Sequence, residues 1–266
     1  MWYNTAGVKV AVHMSKSNEE GLATLKNSFD ILEWIHKNNG GRPTEISDLL
    51  GVSSSTAHRY LKTMVDDGYL VKEDGVYHLA LKFLAFGEQA RTRKDVYTSA
   101  EKYTTMLADE SGCRSTFIVE EGLQGIYLYT SPGSHSVWTQ STIGKRIPLH
   151  ATAGGKALLA HFPKKKVKQV IENGLKAKTE QTITSKKQLN DAIEQIRDRG
   201  YAFNKEEQIE GVNAVGAPVK DDTGEVVGAF SVSGPSNRLS GDRLTDELPQ
   251  ILLGVTNEYE LRVSLS

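Results

Sequence analysis

Two short amphipathic segments hinged on Gly51 constrain this chain more than any other feature. Ile46, Leu49 and Leu50 mark a helix that opens on Pro43, a residue tolerated in a first turn, and stops at Gly51, where a left-handed cap is expected. Ser53 then stands as the N-cap of a following helix running to about Asp67. Two helices joined by a short, glycine-containing turn are the helix-turn-helix signature. Upstream, Leu22, Leu25, Phe29, Leu32 and Ile35 fall at helical spacing, with Asn38-Asn39-Gly40-Gly41 as the stop. Ile31 and Trp34 lie off that stripe, so this helix carries a second apolar surface to be covered, as a dimer would do. Downstream, Tyr69-Leu70-Val71 and Val76-Tyr77-His78-Leu79 flank the turn Glu73-Asp74-Gly75, a strong hairpin signal. Three helices followed by a hairpin predict a winged helix-turn-helix domain over residues 20–80.

The third helix separates its chemistry by face. Ala57, Leu61 and Met64 cluster on one side, flanked by Tyr60 and Val65, while Ser55, His58, Arg59 and Lys62 cluster on the other. Arginine can fork to guanine, serine and histidine can reach base edges or phosphates, and lysine can neutralise a phosphate. Arg42, Ser53, Ser54, Ser55, Thr56, His58, Arg59 and Lys62 are therefore the expected contacts to double-stranded DNA. Composition limits how such a contact could work. The chain carries 32 Lys+Arg against 33 Asp+Glu, a net charge of -1, and residues 20–82 hold seven basic against nine acidic side chains, a net of -2. A globally basic DNA-coating protein is excluded. A solvated face would also explain a polar stripe; the order of helices and wing is what favours a nucleic acid.

The rest of the chain reads as an α+β sensor-like domain behind a linker helix. Residues 1–19 are expected to be a disordered leader or an expression scar, His13-Met14 being what a common cloning site leaves. A linker helix is expected over residues 81–95, with a basic end at Arg91, Arg93 and Lys94, and a second domain over residues 96–266. Within that domain, helices are expected at Val96–Ser111, Ala153–Phe162, Pro163–Asn173, Ser185–Arg199 and Asp242–Arg262. Hairpins are expected from Ser115–Val119 with Gly125–Tyr129 and from Gly211–Val219 with Glu225–Ser233. Cys113, alone, forms no intrachain disulfide and points to a reducing, cytoplasmic setting, and no stretch approaches the ~20 apolar residues that span a bilayer.

Catalytic chemistry finds little support. Ser231 and Ser233 share one face of a strand, facing either a polar pocket or solvent. Ala153-Gly154-Gly155 ahead of Lys156 places backbone amides at a helix start, an anion site in principle. It is no phosphate-binding P-loop, because His150 stands where that loop needs glycine and Ala157 where it needs Ser or Thr. His135, His150 and His161 lack metal-ligand spacing, no nucleophile elbow is present, and adjacent Glu206-Glu207 point oppositely on an extended segment. Lys164-Lys165-Lys166 reads as a solvated helix start and Cys113 as a small core residue. No cofactor or metal is expected, and no enzymatic activity.

These segments resemble the IclR family of bacterial and archaeal transcriptional regulators. The match runs from Glu45-Ile46 to Gly51, through Ser55-Thr56-Ala57-His58-Arg59-Tyr60-Leu61 and Gly68-Tyr69-Leu70. It continues in the second half at Ile147–Ala160, at Gly200-Tyr201-Ala202 with Glu206-Glu207 and Gly211, and from Ala217-Pro218-Val219 to Ser231-Val232-Ser233-Gly234-Pro235. The resemblance implies a homodimer or dimer of dimers on palindromic operators, and a GAF-like effector domain that binds a small organic acid. By the same resemblance the effector is held at Ala153, Gly154, Asn204, Ala214, Ser231 and Ser233. Asn204 replaces an acidic residue of the family pattern and Ala214 a cysteine, so pocket polarity and volume differ. The backbone amides and both serines remain, which favours a sugar acid or another small carboxylate. The resulting expectation is a DNA-binding regulator controlled by such an acid. The rival readings are a metabolite-processing enzyme with an appended DNA-binding module, and a winged helix used for protein contacts.

Overall fold

A computed structural model describes residues 22–134 and 142–265. The expected leader and His135 lie outside the described residues. The chain divides after Gln89 into two compact units.

In the first unit, α1 (Ala23–Asn38), α2 (Pro43–Leu50) and α3 (Ser54–Asp66) precede an antiparallel hairpin of β1 (Leu70–Glu73) and β2 (Val76–Leu79). The hairpin closes on Asp74 and Gly75, both at positive φ (49° and 79°), as a tight turn matching strand twist requires. Gly51 caps α2 in the left-handed region (φ 64°). The core joins Ile31, Ile35, Ile46, Ala57, Leu61, Met64, Leu70 and Tyr77.

The expected inward stripe of α1 is corrected here. Ile31 and Ile35 are the buried pair and Trp34 packs partly against the core, whereas Leu22, Leu25 and Phe29 are 78%, 52% and 55% exposed. The reason is nonlocal. Gly41 exchanges backbone hydrogen bonds with Tyr77 at 3.0 and 2.9 Å, tying the C-terminal end of α1 to the hairpin. The core therefore forms under the last turns of α1, and the first turns run past it. The expected linker helix is α4 (Lys82–Thr92), shorter than residues 81–95 because the backbone turns extended at Lys94, the N-cap of α5 (Asp95–Ser111).

Among the described residues, the second unit is built on an antiparallel sheet of six strands: β3 (Arg114–Glu121), β4 (Gln124–Ser131), β5 (Arg146–Ile147), β6 (Ala202–Lys205), β7 (Val212–Lys220) and β8 (Val226–Pro235), in the order β5-β4-β3-β8-β7-β6. On one face α5 and α9 (Leu248–Ser264) pack through Tyr103, Phe117, Phe230 and Tyr259. On the other, α6 (Ala153–His161), α7 (Lys164–Glu172) and α8 (Lys186–Arg199) cover Ile118 and Ala229. Strands β5 and β6 lie outside the sequence expectations, being two and four residues long at the sheet edges. The helix expected from Asp242 opens with a π-helical turn, Arg243–Glu247, before α9.

Candidate nucleic-acid interface and ligand cavity

Helix α3 is fixed from its first turn. The Ser53 hydroxyl accepts a hydrogen bond from the Thr56 backbone N–H at 3.2 Å and lies 2.9 Å from the Thr56 hydroxyl and 3.0 Å from that of Ser55. Ala57 and Leu61 are fully buried, which turns Ser55, His58, Arg59 and Lys62 outward along one open groove. Across that groove stand Lys72 of β1 and Tyr77 of β2. These two are directly paired across the hairpin and so share a face, with the Lys72 ammonium 5.4 Å from the Tyr77 ring centre. Neither was among the expected contacts; period-two alternation in the wing was the available signal. Ser54 is exposed on the first turn, away from the residues lining the groove. Arg42 also lies apart from them, at the start of α2, where its backbone N–H donates to the Glu45 carboxylate at 2.6 Å and its guanidinium sits by the wing turn at Gly75.

The second unit holds a cavity of about 50 Å³ between the sheet and the start of α6. Ser231 faces Thr116 of β3 and Gly216 of β7, and Ser233 faces Arg114 and Ala214. The side chains of Ser231 and Ser233 line the cavity with Ala153, Asn204 and Ala214, so five of the six expected positions come together. Gly154 stands behind the wall. A Cβ there would lie 2.5 Å from the Ile118 side chain, and one at Gly216 would lie 2.5 Å from the Gly154 nitrogen. Close helix-to-sheet contact therefore requires these glycines, independently of any anion. One amide of the supposed anion site is already used, since Gly155 N–H donates to the Thr152 hydroxyl at 3.2 Å.

Bonded to the cavity residue Asn204 is a polar network that sequence reasoning missed. Lys156, 3% exposed, donates to both carboxylate oxygens of Glu207, 8% exposed, the longer contact being 2.6 Å. Burial pulls the Lys156 ammonium below its usual range, and Glu207 acts in the opposite sense. Asn204 donates to the Ala151 carbonyl at 2.5 Å and accepts from the Glu207 backbone N–H at 3.0 Å, while the Thr182 hydroxyl donates to the Glu207 carbonyl at 2.7 Å. Glu206 has a positive φ (60°) and its carboxylate accepts from Gly211 N–H at 2.8 Å. The two adjacent glutamates thus serve separate structural bonds. His150 is bonded through its ring to the Lys176 carbonyl at 3.1 Å, and no cluster of three His, Cys, Asp or Glu able to hold a metal occurs among the described residues. Among those residues no helix is long and apolar enough to cross a membrane.

Comparison with known proteins matches residues 24–74 to the IclR helix-turn-helix domain and residues 88–258 to the bacterial transcriptional regulator IclR C-terminal domain. A probable HTH-type transcriptional regulator ArcR of Halobacterium salinarum is 30% identical over 249 residues, covering 91% of this chain and 94% of that protein. The HTH-type transcriptional regulator KdgR of Escherichia coli is 32% identical, covering 85% and 88%. The crystal structure of the Thermotoga maritima IclR superimposes with a TM-score of 0.77 at 30% identity, covering 90% of this chain and 98% of that one. An IclR homologue from Microbacterium hydrocarbonoxydans complexed with 4-hydroxybenzoate shares the fold, with a TM-score of 0.79 at 20% identity, covering 91% and 100%. With a helix-turn-helix carrying an outward polar face and a second unit matched over most of its length, the chain belongs to the IclR family of transcriptional regulators.

Proposed function

We propose that this regulator binds a palindromic operator as a symmetric dimer or dimer of dimers, and that a small organic acid in the cavity of its second unit sets operator occupancy. The observation that carries the DNA reading is the groove in which Ser55, His58, Arg59 and Lys62 of α3 meet Lys72 of the wing. With a chain of net charge -1, affinity has to come from a few well-placed cations repeated by symmetry. The α3 helices of a dimer then meet half-sites about one helical turn, or a multiple, apart. The exposed Leu22, at the N-cap of α1, and Leu25 and Phe29 within it supply apolar surface for such a pairing.

Support for the effector is the concentration of hydroxyl and amide groups, Thr116, Thr152, Asn204, Gln208, Ser231 and Ser233, around one cavity. That wall suits a hydroxylated carboxylate, a sugar acid in particular, and the 4-hydroxybenzoate held by one homologue is an organic acid of comparable size. At about 50 Å³ the cavity is well below the roughly 300 Å³ of ordinary ligand sites, so binding requires its wall to give way. Ligand energy spent on that rearrangement can bias the two DNA-binding units through residues 81–95, provided the ligand binds one arrangement more tightly.

A thermal-shift screen of sugar acids, aromatic acids and keto acids, paired with operator selection and binding at several salt concentrations, tests the reading. An effector at about 100 times its Kd adds roughly 2.7 kcal/mol of stability. Failure of every acid to shift the transition, with Ser231→Ala indistinguishable from wild type, would remove the effector proposal. Duplex binding that does not weaken as salt rises would remove the DNA contact.

A further inference from the structure

We propose that the groove between α7 and α8 in the second unit docks an acidic amphipathic helix of a partner protein. This face takes no part in the α3 groove or the ligand cavity.

Charge sets the class of partner. Residues 163–199 carry ten basic against five acidic side chains, a net of +5, although the whole chain is at -1 and the helix-turn-helix segment, residues 20–82, at -2. Lys164-Lys165-Lys166, which in sequence reads as one solvated helix start, divides in the structure. Lys166 turns to the Glu120 carboxylate and lies 4.3 Å from the Phe162 ring centre, Lys165 is exposed, and Lys164 lines the groove. Lys168 and, from α8, Lys186 and Arg197 complete a cationic rim around an open space of about 370 Å³. Arg197 is held there by its Nε, which donates to the Ala160 carbonyl at 2.5 Å. Lys168 holds Glu172 at 3.5 Å, but Lys164 and Lys186 have no carboxylate within ion-pair distance among the described residues. Both stand in the first turn of their helices, where the backbone dipole favours an anion and neither helix supplies an acid. A carboxylate from outside is drawn there by the ammonium and by the dipole together.

Apolar lining narrows the partner to a protein helix. Val167 and Ile171 of α7 and Ile193 of α8 line the same groove as the cations. Val167 and Ile171 are one turn apart and so share a side of α7. Apolar residues spaced by one helical turn on a third helix can lie in the furrow between two such helices, with acidic residues flanking them to meet the rim. Duplex DNA fits the groove poorly. It brings phosphates without apolar side chains, and the Glu194 carboxylate in the groove would repel them. A protein helix can set one basic or amide side chain against Glu194 and keep its carboxylates for the lysines.

The test is a fluorescence-anisotropy titration of the full chain with two labelled peptides of about 18 residues, five helical turns, made from the same leucines and glutamates. In one peptide the leucines share a single helical face; in the other the order is shuffled. Wild type should bind the amphipathic peptide about tenfold more tightly than the shuffled one, and more weakly as salt rises. Lys164→Glu combined with Lys186→Glu should weaken that binding about tenfold or more and leave the thermal transition unchanged. If this pair does not fold, Lys164→Gln with Lys186→Gln decides, with a loss of about threefold or more expected. Equal binding of the two peptides, no binding of either, or an affinity that the substitutions leave untouched overturns the proposal. Displacement of the peptide by a non-operator duplex would assign the face to nucleic acid and also overturn it. So would self-association in sedimentation that the glutamate pair abolishes, since a second copy of the chain would then cover the groove.

Discussion

Helix α3 and the polar network bonded to the cavity residue Asn204 use the same kinds of side chain in opposite settings. Arg59 and Lys62 are exposed on α3, whereas Lys156 and Glu207 are almost wholly withdrawn from water. An exposed cation keeps its hydration, so its removal should be felt by a polyanion and scarcely by the fold. A buried ion pair is part of the fold, and its disruption leaves a charge without water or partner. Contact with DNA is therefore separable from stability in this chain, and the chemistry around the cavity is not.

The largest effect expected from that contrast is at Lys156. Lys156→Ala should destabilise the second unit by about 3–5 kcal/mol because it strands the Glu207 carboxylate, while a paired Lys156→Met, Glu207→Leu variant should recover most of the loss. A urea titration in which Lys156→Ala costs under about 1 kcal/mol would erase the distinction between the two regions. Next, Arg59→Ala should weaken operator binding by about 1–3 kcal/mol and reduce the salt slope, with a urea midpoint equal to wild type. Unchanged affinity and sequence preference would show that α3 does not read the operator.

A smaller effect belongs to acid. His161, partly buried, is held down at about 4 from an ordinary 6.5, first by burial and then by Lys220 and Arg197. The unfolded chain accepts a proton that the folded chain refuses in that window, so stability falls as pH drops from 6.5 toward about 4. Allowing for solvent screening, the loss should be ~1–2 kcal/mol, and His161→Gln should flatten it in urea midpoints taken across the window. Smallest is the cap of α3: Ser53→Ala should cost ~1 kcal/mol in stability, which would sharpen the contrast by showing that one hydroxyl of the expected DNA set serves the fold.

Helix α3 was legible because its information is local. Ala57, Leu61 and Met64 against Ser55, His58, Arg59 and Lys62 is a pattern any reader of helical period can extract, and Gly51 and Ser53 mark its limits. Lys72 was less visible, since a four-residue strand offers little period to read. The cavity positions Ala153, Asn204, Ala214, Ser231 and Ser233 came from family resemblance, which assigned them to an effector and carried no record of the bonds they make within this chain. Asn204 illustrates the gap, because its amide group bonds the Ala151 carbonyl and Glu207 N–H as well as facing the cavity.

By itself, the sequence determined the order of elements, the wing turn at Asp74-Gly75, the cap at Gly51 and the polar face of α3, all set by backbone preference and by side chains a few residues apart. Tertiary structure alone decided that α1 buries Ile31 rather than Phe29, that Lys156 meets Glu207, and that Arg114 stands in register with Ser233. Each of those outcomes depends on which distant segment arrives to exclude water or to supply a partner, and periodicity carries no record of that.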